Sequence, residues 1–157
     1  NQPVDHSENL YVYEITSRDI ETITKKHAYT WVHTWLPTCS GDYCQNISYL
    51  EHFADQYKDK DMALVLISEE YSLKEIKQIA STSRYSHPIG IMKSGYFGYK
   101  VKKASQKLYH DLTKTEPTQE SLNEAIITDE YFFKNGELVF KASDMEADDL
   151  ARLMTEE

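Results

Sequence analysis

A predicted strand, a short loop that carries both cysteines of the chain, and a predicted helix follow one another over residues 29–57. Residues 29–36 are rich in aromatic and β-branched side chains, which favours a strand, and Pro37 cannot extend a central strand. Apolar residues then recur at the spacing of one helical face, at Tyr43, Ile47, Leu50, Phe53 and Tyr57. The rest of the chain has to be arranged around this unit.

The cysteines lie where this helix is predicted to begin. Asp42 can cap the helix, and Gln45 can return a hydrogen bond to the amide of Asp42. Cys39 then precedes the cap, and Cys44 falls in the first turn. Because the amides at a helix N-terminus carry partial positive charge, they stabilise a nearby thiolate. The arrangement is compatible with thiol chemistry.

Length and charge limit the classes of protein to consider. The chain has 157 residues, a length that predicts a single domain, at residues 9–157. The polar residues 1–8 are expected to form a flexible tail. Its 17 basic and 26 acidic residues give a net charge of −9. This charge argues against nonspecific binding to nucleic acid or to an anionic membrane. No apolar run reaches the roughly 20 residues that span a membrane.

The first residue, Asn1, leads to an expectation about location. Because the sequence starts with Asn1 instead of Met, we expect a processed or trimmed product. An exported protein of the periplasm or cell envelope, with a possible lipid anchor upstream of Asn1, is the corresponding hypothesis.

Strand and helix patterns alternate along the rest of the chain. Strands are predicted at residues 10–15, 29–36, 63–67, 87–92, 128–134 and 137–141. Asn135-Gly136 between the last two predicts a hairpin. Helices are predicted to begin near residues 16, 42, 72, 97 and 143, and residues 113–121 form a polar loop or a helix start. The fold class is therefore α/β, with helices on both faces of a central mixed sheet.

Two stretches of this pattern resemble the thioredoxin-like superfamily. WVHTWLPTC is similar to the strand that leads to the family's nucleophilic cysteine, and EYFFKNGELVF is similar to its last hairpin. The middle of the chain resembles exported bacterial thioredoxin-like proteins. The resemblance implies a thioredoxin-like sandwich that exchanges disulfides with protein thiols and needs no cofactor. It places Cys39 as nucleophile and Cys44 as resolving thiol.

The chain departs from the family at three positions. The cysteines form a C-x4-C pair, where the family has C-x2-C. Thr128 stands where the family has a cis-proline, so a trans bond is expected there. His33 stands where the family often buries a carboxylate, and it can accept the proton of Cys44. A core histidine bonded to the backbone is the alternative for His33. With Trp35 and Pro37, Thr128 is expected to contact the substrate.

Two other roles for the cysteine pair stay open. Cys39 and Cys44 can form a structural disulfide in a non-catalytic binding protein with the same fold. They can also bind copper(I) with His87 or His110 as third ligand, in a copper-binding module. A four-cysteine zinc site is excluded by the number of cysteines. We therefore assign no metal ligand.

A basic helix face has two interpretations. Its residues are Lys100, Lys102, Lys103 and Lys107. The first interpretation is a solvated surface, and the second is a docking face for an acidic partner.

Overall fold

A computed structural model describes residues 10–39, 47–83 and 85–155. The predicted tail at residues 1–8 lies outside this part. The strands are β1 (Val12–Ile15), β2 (Tyr29–Trp35), β3 (Met62–Ser68), β4 (Ile89–Met92), β5 (Glu130–Lys134) and β6 (Glu137–Ala142). They form one sheet in the order β1-β4-β3-β2-β5-β6. The pairs β1–β4, β4–β3 and β3–β2 are parallel, and β5 pairs antiparallel with β2 and β6.

Helices cover both faces of this mixed sheet, as the sequence predicts. They are α1 (Ser17–Thr24), α2 (Ser48–Gln56), α3 (Leu73–Thr82), α4 (Ser94–Phe97), α5 (Val101–Thr113), α6 (Gln119–Ile127), α7 (Ala147–Thr155) and a 3₁₀ helix at Lys58–Lys60. Apolar residues of α2, α3 and α7 share one hydrophobic core. Those of α1, α4, α5 and α6 share a second core. The α/β sandwich is therefore confirmed.

The central strand β2 supplies both cores. Trp31 and Trp35 belong to the core on the α2 side, whereas Val32 belongs to the core on the α5 side. This division follows from the alternation of side chains along a strand. Because both faces of β2 are covered, every residue from Thr30 to Trp35 is buried. Burying each large apolar side chain contributes about 1.5–3 kcal/mol, which explains the aromatic and β-branched composition of this strand.

The directions of the strands bring several loops to one end of the sheet. β2, β3 and β4 are parallel, so their C-terminal ends lie together, and the antiparallel β5 begins beside them. Cys39 follows β2 and therefore lies at this end. We call it the cysteine end; its loops are residues 36–39, 69–72, 93–100 and 128–129.

The hairpin predicted at Asn135-Gly136 is confirmed. Both residues have positive φ, at 52° and 85°, as a two-residue type I′ turn requires. A Cβ at Gly136 would also lie 3.4 Å from Cγ of Lys25. The turn therefore needs glycine for its conformation and has little room for a side chain.

The start of α2 differs from the prediction. α2 begins at Ser48, and Ile47 at its N-cap makes no side-chain hydrogen bond. The helix therefore starts later than the predicted apolar pattern, which begins at Tyr43. Asp42, with its predicted cap, and Cys44 lie outside the described residues. The N-terminus of α2 itself is nine residues after Cys39 in the chain.

Other helix boundaries also differ. The apolar stripe that begins at Phe97 forms two helices, because Gly98 adopts a φ of +86° between α4 and α5. The polar stretch at residues 113–121 ends in α6, where Thr118 and Ser121 form a capping box. The last helix begins at Ala147, later than the predicted cap at Ser143.

Candidate functional site

The strand β2 leads directly from His33 to the exposed residue Cys39. After Trp35 the chain leaves the sheet, and the amide of Cys39 donates a hydrogen bond of 3.0 Å to the carbonyl of Leu36. Pro37 between them is buried. This short turn fixes Cys39 next to the end of β2. Cys44 lies outside the described residues, so its pairing with Cys39 stays a prediction.

A buried polar cluster of His33, Glu130 and Trp31 lies on the α2 face of the sheet. Nδ1 of His33 lies 2.7 Å from Oε1 of Glu130, and the indole of Trp31 donates to Oε2 of Glu130 at 2.6 Å. Trp31 and His33 share a face because they are two residues apart on β2. His33 and Glu130 are also direct partners across β2 and β5. Strand register therefore assembles the cluster.

Burial makes this cluster unusual. His33 is 2% exposed and Glu130 is 0% exposed. A carboxylate buried in this way is costly unless both oxygens are hydrogen-bonded, and here both are. α2 contributes Tyr49, whose pKa is raised by burial and then by the nearby charges of Glu130, Asp144 and Asp129. The cluster is thus a satisfied ionisable pair enclosed by the helix that follows the cysteine loop.

Two further carboxylates lie at the cysteine end, on the α5 face. Burial raises the pKa of Asp129, which accepts a hydrogen bond of 3.1 Å from the hydroxyl of Thr34. Burial also raises the pKa of Glu69, which accepts a hydrogen bond of 2.7 Å from the hydroxyl of Ser105. Both carboxylates therefore keep their protons to higher pH than exposed ones do.

The sequence indicates His33 as a candidate site residue but does not show its partner. Asp129 and Glu130 are adjacent, so their side chains point to opposite faces of the sheet. The contact of Glu130 with His33 depends on the register between β2 and β5, which local patterns do not give. The available signal was Glu130 itself, a carboxylate that opens the otherwise apolar run EYFF.

Thr128 lies two residues before Glu130, the first residue of β5. The described peptide bonds, including those at Thr128, are all trans, as expected. The Thr128 side chain is 5% exposed, and its hydroxyl donates to the carbonyl of Glu124 at 2.9 Å. Trp35 is similarly buried, at 6% exposure. These two side chains therefore present little of their own area to a partner.

The candidate copper ligands are not brought to Cys39. His87 precedes β4 and lies at the opposite end of the sheet from the cysteine end. His110 lies in the last turn of α5, where its Nδ1 atom is 3.3 Å from the hydroxyl oxygen of Thr115. Within the described ranges, no three His, Cys, Asp or Glu side chains form a group that could hold a metal ion.

A search for membrane-spanning segments gives no candidate in the described part of the chain. None of its helices has the length and apolar character needed to cross a bilayer.

Comparisons with known proteins agree with this architecture. No protein-family model matches the sequence, and the curated proteins give no match. Among solved structures, the chain is similar to one described as the solution structure of a thioredoxin-like protein in the oxidized form. The TM-score is 0.53 and the identity is 17%, over 90% of this chain and 84% of that chain. The identity is low, so the similarity concerns the fold: this chain has a thioredoxin-like fold.

Proposed function

We propose that the protein catalyses thiol–disulfide exchange with protein partners, using Cys39 as nucleophile and Cys44 as resolving thiol. The observation that carries the proposal is the buried His33–Glu130 pair on the strand that leads to Cys39. Replacing a buried hydrogen-bonded pair by apolar residues of similar shape is often neutral or stabilising, so such a pair is weak evidence of a purely structural role. A histidine whose ring is oriented by a carboxylate is suited to accept a proton from a nearby thiol.

The exchange proceeds in two balanced steps. The Cys39 thiolate attacks one sulfur of a partner disulfide, so a mixed disulfide forms and the other partner sulfur leaves as a thiolate. Cys44 then loses its proton and attacks the sulfur of Cys39, which releases the second partner thiolate. Two electrons pass to the partner, and the protein is left with a Cys39–Cys44 disulfide. An external dithiol reduces this disulfide and restores the starting state.

His33 accepts the proton of Cys44 in this proposal. With a proton on Nδ1, facing Oε1 of Glu130 at 2.7 Å, the lone pair of the ring lies on Nε2. Glu130 thereby fixes the tautomer and stabilises the imidazolium that forms. Trp31 holds the second oxygen of Glu130 and keeps the carboxylate in position.

The proposal also assigns a surface and a location. In this proposal Trp35, Pro37 and Thr128 contact the partner beside Cys39. An exported location in the periplasm or cell envelope suits this chemistry, because disulfides persist in oxidising compartments. Fractionation of the cells that produce the protein tests the location: recovery in the cytosol alone would contradict it.

Insulin reduction in the presence of dithiothreitol tests the activity. Cys39→Ser is expected to abolish the reduction, and Cys44→Ser is expected to accumulate mixed disulfides, because the resolving thiol is missing. If wild-type protein has no activity, or if both substitutions change only the stability by similar amounts, the exchange proposal is wrong. The second pattern would identify the pair as a structural disulfide in a binding protein.

A further inference from the structure

Exposed apolar side chains are concentrated at the cysteine end. In the described part of the chain, nine large apolar side chains are at least 37% exposed, and seven of them lie in loops and helix ends at the cysteine end. Tyr71 and Leu73 follow β3, and Tyr99 and Val101 follow β4. Tyr99 is 82% exposed. Exposed apolar side chains concentrated in one region are typical of an interaction site.

The remaining three of these residues lie in the loop of Cys39 and just before β5. Leu36 is three residues before Cys39 in the same loop. Ile126 and Ile127 end α6, just before the start of β5. These seven side chains therefore lie at the cysteine end, whereas Tyr11 and Val139, the other two of the nine, lie elsewhere on the sheet.

Hydrogen bonds join the loops after β2, β3 and β4 into one surface. The hydroxyl of Tyr71 donates to the carbonyl of Gly98 at 3.0 Å. The hydroxyl of Thr38 donates to the carboxylate of Glu70, which connects the loop of Cys39 to the loop that contains Tyr71. Since β3 lies directly between β2 and β4 in the sheet, these contacts join neighbouring loops. A chain bound over Tyr71 and Tyr99 would therefore run beside Cys39.

The loop and helix that follow β4 carry a charge opposite to that of the whole protein. Residues 93–110 contain five lysines and no carboxylate, in a chain with a net charge of −9. Lys100, Lys102 and Lys103 are exposed. Within the residues that the structure describes, these three form no ion pair. They adjoin Tyr99 and Val101, so basic and apolar groups are interleaved.

We propose that residues 71–73 and 99–103 dock an acidic, apolar segment of a partner polypeptide and hold it beside Cys39. Apolar side chains of the segment would cover Tyr71, Leu73, Tyr99 and Val101, while its carboxylates would pair with the lysines. A nucleic acid fits this surface less well, because it buries few apolar groups and is repelled by the net charge. The role of the docked segment as an exchange substrate rests on the proposed function; the binding itself does not.

Binding is measured by fluorescence anisotropy with three labelled 12-residue peptides. The first alternates leucine or phenylalanine with glutamate, the second replaces glutamate by lysine, and the third replaces the apolar residues by serine. All measurements use the Cys39→Ser protein, so that a failure of docking is distinguished from a failure of exchange. The first peptide is expected to bind, with affinity that falls as salt is raised. The other two are expected to bind at least tenfold more weakly.

Matched variants locate the binding surface. Lys100→Gln, Lys102→Gln and Lys103→Gln together are expected to weaken binding of the acidic apolar peptide about tenfold. The same change at the exposed residues Lys25, Lys26 and Lys58, at the opposite end of the sheet, is expected to have no effect. Tyr99→Ser is expected to weaken binding about tenfold, and Tyr11→Ser is the control.

Several results would overturn the docking proposal. One is the absence of binding, and another is equal binding of all three peptides. A third is an equal effect on binding of the two triple lysine substitutions. Sedimentation equilibrium tests a further alternative: a dimer that Tyr99→Ser dissociates would show that a second copy of the chain, instead of an acidic partner, covers the surface.

Discussion

Nδ1 of His33 and Oε1 of Glu130 lie 2.7 Å apart, and almost no part of either side chain is exposed. The other oxygen of Glu130 accepts a hydrogen bond from the indole of Trp31. Glu130 thus bonds two buried side chains at once, and its removal would take this partner from both. The predicted consequences for stability and for exchange differ, and they can be measured separately.

Glu130→Ala is expected to lower the free energy of unfolding by about 3–5 kcal/mol, because a buried partner is removed from His33 and Trp31. Glu130→Gln keeps an oxygen and a similar shape, so we expect a loss of about 1–2 kcal/mol. Urea denaturation gives both values. Glu137→Ala, at an exposed position of the same hairpin, is the control and should stay within about 0.5 kcal/mol. Equal losses for the two Glu130 variants would contradict this account.

His33→Ala is expected to slow disulfide exchange by tenfold or more near neutral pH, because the proton acceptor for Cys44 is lost. The rate of insulin reduction is measured across the pH range for wild type, for His33→Ala and for His52→Ala. His52 is exposed on α2, so its replacement should leave the rate unchanged. A His33→Ala profile that superimposes on that of wild type would rule out the relay.

Glu69 predicts a pH dependence of stability. Burial raises its pKa in the folded state, so the group contributes stability below its unfolded pKa, and this contribution is lost as the pH rises through the folded pKa. The glutamine of Glu69→Gln does not ionise, so the variant does not lose this stability as the pH rises. Its amide oxygen can still accept the hydrogen bond from Ser105. In urea denaturation the variant should therefore gain stability relative to wild type as the pH rises above the ordinary pKa of a glutamate, about 4.3.

Glu124 is the control of opposite sign for this prediction. Hydrogen bonds from Lys141 and Tyr109 lower its pKa, so its contribution to stability is present above the unfolded pKa and is lost as the pH falls. Glu124→Gln should be less stable than wild type at neutral pH, and the difference should shrink in acid. If the stability of both variants relative to wild type changes with pH in the same direction, burial does not control the pKa of Glu69.

Gly136→Ala is expected to lower the free energy of unfolding by about 1–2 kcal/mol, since alanine at a φ of +85° is strained. Gly95→Ala is the matched control, because a Cβ at Gly95 has no neighbour within 4 Å. It should be neutral or stabilise by up to about 1 kcal/mol. Chemical denaturation of both variants checks the hairpin, and a neutral Gly136→Ala would show that the turn tolerates a side chain.

Much of the fold follows from local patterns in the sequence. The apolar runs at β2 and β3, the Asn135-Gly136 turn and the alternation of strands with helices predict a mixed sheet between helices. The helix boundaries that were predicted wrongly depend on longer-range packing. The apolar stripe from Phe97 to Leu112 has helical spacing throughout, yet Gly98 at positive φ divides it, and spacing carries no information on φ.

The candidate site is less accessible from the sequence. Strand parity predicts that His33 shares a face of the sheet with Trp31 and Trp35, and this is a local inference. Its pairing with Glu130 depends on the register of two strands that are 97 residues apart in the chain. The acidic residues at Glu69 and Asp129 are visible in the sequence, but their raised pKa values arise from burial, which only the packed structure shows.

The reduction potential of the Cys39/Cys44 pair tests the central claim most directly. The protein is equilibrated with glutathione buffers, alkylated and read by mass. An exchange catalyst is expected to have a potential between about −120 and −270 mV. A potential below about −300 mV would identify a structural disulfide and contradict the proposed exchange activity.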